Sequence, residues 1–352
     1  MSRRWLYGLM VLSLSMCGSV QAEMSKDLSI SSRYDNNTFG TANGVGDYIT
    51  QLSGSMSWWR GGDRSQTQFY YAGDGYLFAS LGSRSFAVNR AGLSYVRQLG
   101  SHSDLFYAGS AIVTRFGKSD YSVYNYVGVK NYATLKKYLF PSVLLRTGYT
   151  MQFRNYWNMT TQRFMDHYVF AQVSKFWPTR TTLRGDVSYG LKQHGNSEGQ
   201  AVLGLQVAQS LGTNTGLRLR YQRRVNTHAN LSAIDFLMQD EDLLNDRYDY
   251  SGHEWTARLT QQLPDRLRLI VEGGYEMRNY RSLTTATICG LSLDLDDWRK
   301  DRSPFASVMI EKPFGDLLQA RLQYGFEGNR STDEYYDYNE SHSISFDLEI
   351  GF

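Results

Sequence analysis

The sequence predicts an all-β chain closed into a transmembrane antiparallel β-barrel of about sixteen strands, and three observations carry the prediction. Apolar and polar residues alternate along most of the chain. The connections between alternating segments switch between short and long. The final segment, His342 to Phe352, alternates without a break, with Ile344, Phe346, Leu348, Ile350 and Phe352 against Ser343, Ser345, Asp347, Glu349 and Gly351. Strand side chains point to opposite faces with period two, so this segment has one apolar and one polar face.

The elements follow in order. Arg3 and Arg4 precede an apolar run from Trp5 to about Cys17, and Val20 and Ala22 are spaced as small residues before a signal-peptide cleavage. The run is too short for a spanning helix. Residues 1–22 are therefore expected to be a signal peptide and 23–352 the barrel. Lipid attachment at Cys17 is the alternative, disfavoured by Met16 ahead of it.

Strands are expected near 27–35, 47–59, 66–81, 86–99, 104–116, 122–137, 142–157, 163–177, 181–192, 200–211, 216–228, 252–263, 266–280, 303–312, 316–330 and 340–352. Gly61-Gly62-Asp63 and Gly100 to Asp104 supply turn chemistry between early strands, as do Pro141 and Pro178. In 181–192, Leu183, Val187, Tyr189 and Leu191 oppose Arg184, Asp186, Ser188 and Lys192. Gly212-Thr213-Asn214 leads into 216–228, where Leu217, Leu219, Tyr221 and Val225 oppose Arg218, Arg220, Gln222 and Arg224. Pro264 precedes 266–280, in which Leu269, Val271 and Tyr275 oppose Arg268, Glu272 and Glu276. Pro313 marks a later turn. Long connections fall at the opposite ends, notably 229–251, 281–302 and 328–339. Indistinct boundaries at 122–142 and 281–303 leave fourteen or eighteen strands as alternatives.

Composition agrees. No apolar stretch after the signal approaches the ~18–20 residues of a membrane helix, and the mean hydropathy is −0.45. The 26 Tyr and 32 Gly against 5 Pro suit a barrel that spreads its hydrophobicity over every second residue. Cleavage leaves Cys289 alone, so no intrachain disulfide is expected. A net charge of +3 with both signs dispersed gives no nucleic-acid footprint. Six scattered His give no zinc pattern, and there is no cofactor motif.

The chain resembles a Gram-negative outer-membrane β-barrel, with the closing strand that ends in Phe352 similar to the carboxyl-terminal signature of that class. The resemblance is one of architecture, porin-like, and covers 23–352. It implies recognition of Ile350 and Phe352 by the barrel-assembly machinery and a setting in outer-membrane lipid and lipopolysaccharide. It also leaves room for a homo-oligomer.

Aromatic girdles are expected from Trp58, Trp59, Tyr70, Tyr71, Phe153, Trp157, Phe176, Trp177, Trp255, Tyr324 and Phe352, because amphipathic rings settle at the head-group level. The polar faces place Arg184, Arg218, Arg220, Arg224, Arg258, Arg268 and Arg278 in the lumen with Glu254, Glu272 and Glu276. Two readings fit these charges: a transverse field across a channel, or a salt-bridge ladder that satisfies a polar interior. The acidic loops 229–251 and 328–339 lack cation-loop spacing and suit a solvated rim. None of the six His has Ser two residues later, the arrangement a strand-borne hydrolase site needs. The expected function is a porin-like channel for passive diffusion of small polar solutes through a mixed-charge lumen. A non-conducting barrel or the anchor of an export complex is the alternative, and an outer-membrane hydrolase the third reading.

Overall fold

The computed structural model describes residues 22–100, 104–117, 119–159, 163–194, 196–228, 250–280, 286–288, 291–293 and 299–351. The strands are β1 Ala22–Asp35, β2 Asp47–Gly62, β3 Ser65–Phe78, β4 Phe86–Leu99, β5 Asp104–Gly117, β6 Tyr126–Phe140, β7 Val143–Tyr156, β8 Phe164–Phe176, β9 Thr181–His194, β10 Asn196–Ser210, β11 Thr215–His228, β12 Tyr250–Gln262, β13 Arg268–Tyr280, β14 Ala286–Ile288, β15 Leu291–Leu293, β16 Lys300–Phe314, β17 Leu318–Ser331 and β18 Tyr338–Gly351. All but β14 and β15 close into one antiparallel barrel of sixteen strands, in which β13 pairs with β16 and β18 returns to β1. The β14–β15 hairpin is a separate sheet.

Alternation explains the closure. Leu28, Ile30, Leu52, Val187, Leu203, Leu205 and Phe346 all lie on one face of the sheet and are 46–57% exposed. Such a surface is costly in water and suits hydrocarbon. The register preserves that face from strand to strand, from Leu28 opposite Gly54 round to Ile350 opposite Leu28. Outward residues are thus even-numbered in β1 and β2, odd-numbered in β7 to β13, and even-numbered again in β16 to β18. Following the pairs once round returns to β1 displaced by about twenty residues, which for this strand number gives a tilt near 40° and a backbone radius of about 16 Å.

Short turns gather at one end of the barrel. Pro141 and Ser142 join β6 to β7, and Pro264 to Leu267 form a tight turn closed by Leu267 N–H donating to the Pro264 carbonyl at 3.1 Å. Asp265 and Arg266 hold left-handed φ of 56° and 60° there. The longer connections stand at the other end. One of them, 36–46, is tied across the rim by Ala42 N–H donating to the Tyr335 carbonyl at 2.8 Å.

Several expectations need correction. The sixth strand runs from Tyr126 to Phe140, after a short helical turn at Ser119–Tyr124, because Tyr138 to Phe140 extend the ladder up to Pro141. The tenth begins at Asn196, since Glu198 pairs with Lys192 and Asn196 with His194 where a loop was expected. The 328–339 connection shrinks to 332–337, and 281–302 contains β14 and β15. Trp59, Tyr70 and Phe176 fall on the inward face, whereas Trp58, Tyr71, Trp157, Trp177, Trp255 and Tyr324 are outward and 39–48% exposed. Residues 1–21 of the expected signal peptide 1–22, most of loop 229–251, and Phe352 lie outside the described residues.

Candidate functional site

A barrel of sixteen strands is too wide for lining side chains alone to fill, so its inward face is the candidate site. The register turns Arg184, Arg218, Arg220, Arg224, Arg258, Arg268 and Arg278 inward, with Glu254, Glu272 and Glu276 among them. Most are ion-paired, some within one strand and others across strands. Arg218 and Arg258 share Glu272, the former at 3.5 Å. Arg224 meets Glu254 at 3.3 Å, Arg184 meets Asp186 at 3.4 Å, and Arg278 meets Glu276 at 2.6 Å. A longer chain of charges runs from Arg268 through Glu311 and Arg321 to Glu349, with Arg321 at 3.3 and 3.1 Å from the two carboxylates. Arg220 has no ion pair among the described residues. This wall is a ladder in which both signs alternate.

The rest of the lumen is not balanced in this way. Strands β4 to β7 turn Arg90, Arg115, Lys130, Lys136, Arg146 and Arg154 inward, and no carboxylate with them. Strands β16 to β18 and β1 to β3 turn inward Asp301, Glu311, Glu327, Asp347, Glu349, Asp27, Asp35, Asp47 and Asp74, against only Arg321 and Arg33. The net effect is a cationic wall and an acidic wall, with the alternating ladder of β8 to β13 beyond the cationic one. Arg90 reaches back to Asp74 at 2.8 Å where the two walls meet. The sequence reading missed the cationic wall. Its signal was present in Lys130, Tyr132, Thr134 and Lys136 at alternate positions.

Aromatic rings accompany these cations. Tyr70 lies over Gly92 and Tyr132 over Gly109, so closely that a Cβ at either glycine would stand 2.5–2.6 Å from the phenol ring. The glycines let the rings lie flat on the wall instead of projecting into the lumen. At the long-loop end, the guanidinium of Arg154 stacks 4.3 Å above Tyr126 and that of Arg115 4.2 Å above Phe86. Tyr126, Tyr156 and Met159 form a small buried cluster beside them.

Across the mouth, Arg299 stacks 3.4 Å over Tyr336 and donates to both oxygens of Asp301. Burial works against the Arg299 charge, but the hydrogen bonds to Asp301 win and raise its pKa above the ordinary value. Burial likewise raises the Tyr336 phenol.

On the outward face, Tyr149, Tyr221 and Tyr324 share hydrogen bonds of 2.6–2.7 Å with the Nδ1 atoms of His167, His253 and His342. Tyr71 donates to Asn89 Oδ1 at 2.7 Å in the same diagonal arrangement. These four tyrosines are each the seventh residue of β3, β7, β11 and β17, which are every fourth strand of the barrel. Three of the six histidines, His167, His253 and His342, are thus engaged by tyrosines on the outward side.

No protein-family model matches the chain, and no curated protein sequence matches it. The fold is that of outer-membrane β-barrel proteins. It is similar to Pseudomonas aeruginosa OccK2 (OpdF) in complex with glucuronate, at 10% identity and a TM-score of 0.54, covering 94% of this chain and 98% of that one. It is similar also to Pseudomonas aeruginosa OpdK with vanillate, at 11% identity and a TM-score of 0.51 over 94% and 98% of the two chains. A bacterial polysaccharide outer-membrane secretin gives 10% identity and a TM-score of 0.51 over 93% and 98%.

Proposed function

We propose that the chain is a porin-like channel of the outer membrane, through which small polar solutes diffuse passively and anionic ones are favoured along the cationic wall. The observation that carries the reading is the run of inward cations on β4 to β7, free of carboxylates and set beside the acidic strands β16 to β3. Such separation sets a field across the pore axis, which orients a solute carrying both a charge and hydroxyl groups. Flat rings such as Tyr70 and Tyr132 beside the cations offer a surface for planar or sugar-like solutes. Glucuronate and vanillate, held by two structures of similar fold, are carboxylates of these two kinds.

Planar-bilayer conductance tests the reading. The folded protein is expected to open and to be transiently blocked by glucuronate. Replacing Lys130, Lys136 and Arg146 together by Gln moves the reversal potential in a salt gradient toward cation selectivity. A protein that never conducts sinks the channel, and an unmoved reversal potential removes the cationic wall from the path.

The likeness to a polysaccharide secretin favours a second reading, a barrel that anchors an export complex. In that case current is blocked by a long anionic polysaccharide and not by monomeric glucuronate. Neither reading asks the protein for chemistry.

A further inference from the structure

We infer that the outward surface of β11 to β17, at its long-loop end, docks the phosphorylated head group of the glycolipid that forms the outer leaflet. The inference goes beyond channel function and needs only the membrane placement proposed above.

Tyr221, Trp255 and Tyr275 are direct cross-strand partners on the outward face and form an aromatic row, with neighbouring ring centres 5.4 and 6.5 Å apart. Such rows mark the boundary between hydrocarbon and head groups. One outward position nearer the long-loop end, about 5 Å higher along a tilted strand, the register runs Arg223, His253, Met277, Arg302, Arg330 in successive strands. Lys300 adds a further cation on the same face of β16. Because the strands tilt, this belt climbs about 3 Å with each strand, so it leaves the aromatic row at Arg223 and rises into the head-group layer at Arg302 and Arg330.

Three features give the belt its meaning. Arg302 and Arg330 are directly opposite each other, an arrangement that like charges disfavour unless an anion sits between them. Among the described residues Arg223, Arg302, Arg330 and Lys300 have no carboxylate partner, and the outward faces of these five strands carry no Asp or Glu. The feature is also local, because the outward positions in the long-loop halves of β2 to β8 hold no Lys or Arg. Arg163, just beyond β8, is engaged by Asn155 Oδ1 at 3.0 Å. Planar guanidiniums facing outward above an aromatic row, with no carboxylate partner among the described residues, are matched to phosphate oxygens in the head-group layer.

The test is native mass spectrometry of the full folded chain in neutral detergent, with the diphosphorylated outer-leaflet glycolipid as probe. The wild type is expected to retain it in preference to phosphatidylglycerol. The variant Arg223→Gln, Arg302→Gln, Arg330→Gln is expected to lose about ten-fold in retention, given the strength of charge-assisted phosphate contacts. A control variant, Lys26→Gln, Arg97→Gln, Lys137→Gln, removes outward cations at the short-turn end and is expected to bind as the wild type does. Equal retention by the first variant, or equal loss by the control, overturns the inference. If the first variant does not fold, the wild type decides: equal retention of the enzymatically dephosphorylated glycolipid overturns the inference, and weaker retention supports it. A protein that conducts but ignores the glycolipid leaves the channel standing alone.

Discussion

Asp301 shows how charges are kept at the mouth. It is 2% exposed, yet it accepts hydrogen bonds from Arg299 and from Ser331 Oγ, the latter at 2.7 Å. Its partner Arg299 is in turn stacked on Tyr336 and Tyr280. Removing one member of a buried pair strands the other, at a cost of roughly 3–5 kcal/mol. Asp301→Ala is therefore expected to lower the thermal unfolding midpoint clearly, read as the temperature at which the compact band disappears in heat-modifiability gels. A midpoint equal to the wild type's would mean that Arg299 finds water or another partner. The sequence did not disclose this cluster, because Tyr280 ends β13, Arg299 leads into β16 and Tyr336 lies in the connection before β18, and only the folded barrel brings them together.

Turns and strand ends decide the register. At Asp265 and Arg266 two consecutive residues adopt left-handed φ, the conformation for which glycine is preferred at the second position. Arg266→Gly is expected to stabilise the β12–β13 hairpin by about 1 kcal/mol by relieving the contact between Cβ and backbone. A higher urea midpoint for unfolding in detergent would show it, and a lower one would mean that the arginine side chain contributes more than its backbone costs. Strand identity was largely legible because alternation and proline placement act locally. Strand ends were less so. Gln193, His194, Asn196, Ser197 and Glu198 are polar and look like a loop, yet they pair with one another and with Lys192 to complete a ladder, whose lumenal positions accept polar residues. Tyr138 to Phe140 had no contrast between faces to mark where the strand stopped.

Over the whole molecule, charge is sorted by strand position, and this was only half legible. The Arg and Glu of β9 to β13 stand against clearly apolar outward residues, so their face could be read. In β5 and β6 the inward side also carries Tyr107, Gly109, Ala111, Val113 and Tyr132, and the outward side carries Asn131. The faces then look alike in sequence, and the cations among them were passed over. Assembly is also a property of the whole. Ile350 pairs between Leu28 and Leu318 at the closing seam, one strand position from Phe352. If the end of β18 is the assembly signal, Phe352→Ala lowers the amount of heat-modifiable barrel recovered from outer membranes without changing the midpoint of what does assemble. Full recovery would refute that role. Finally, hydrogen-bonded tyrosines stand on every fourth strand, a quarter-turn apart and each the seventh residue of its strand. Each ties its strand to the next from the outer side. Four such ties spread round the circumference act as stitches in a hoop, sharing the load between quarters of the wall instead of leaving it to the closing seam.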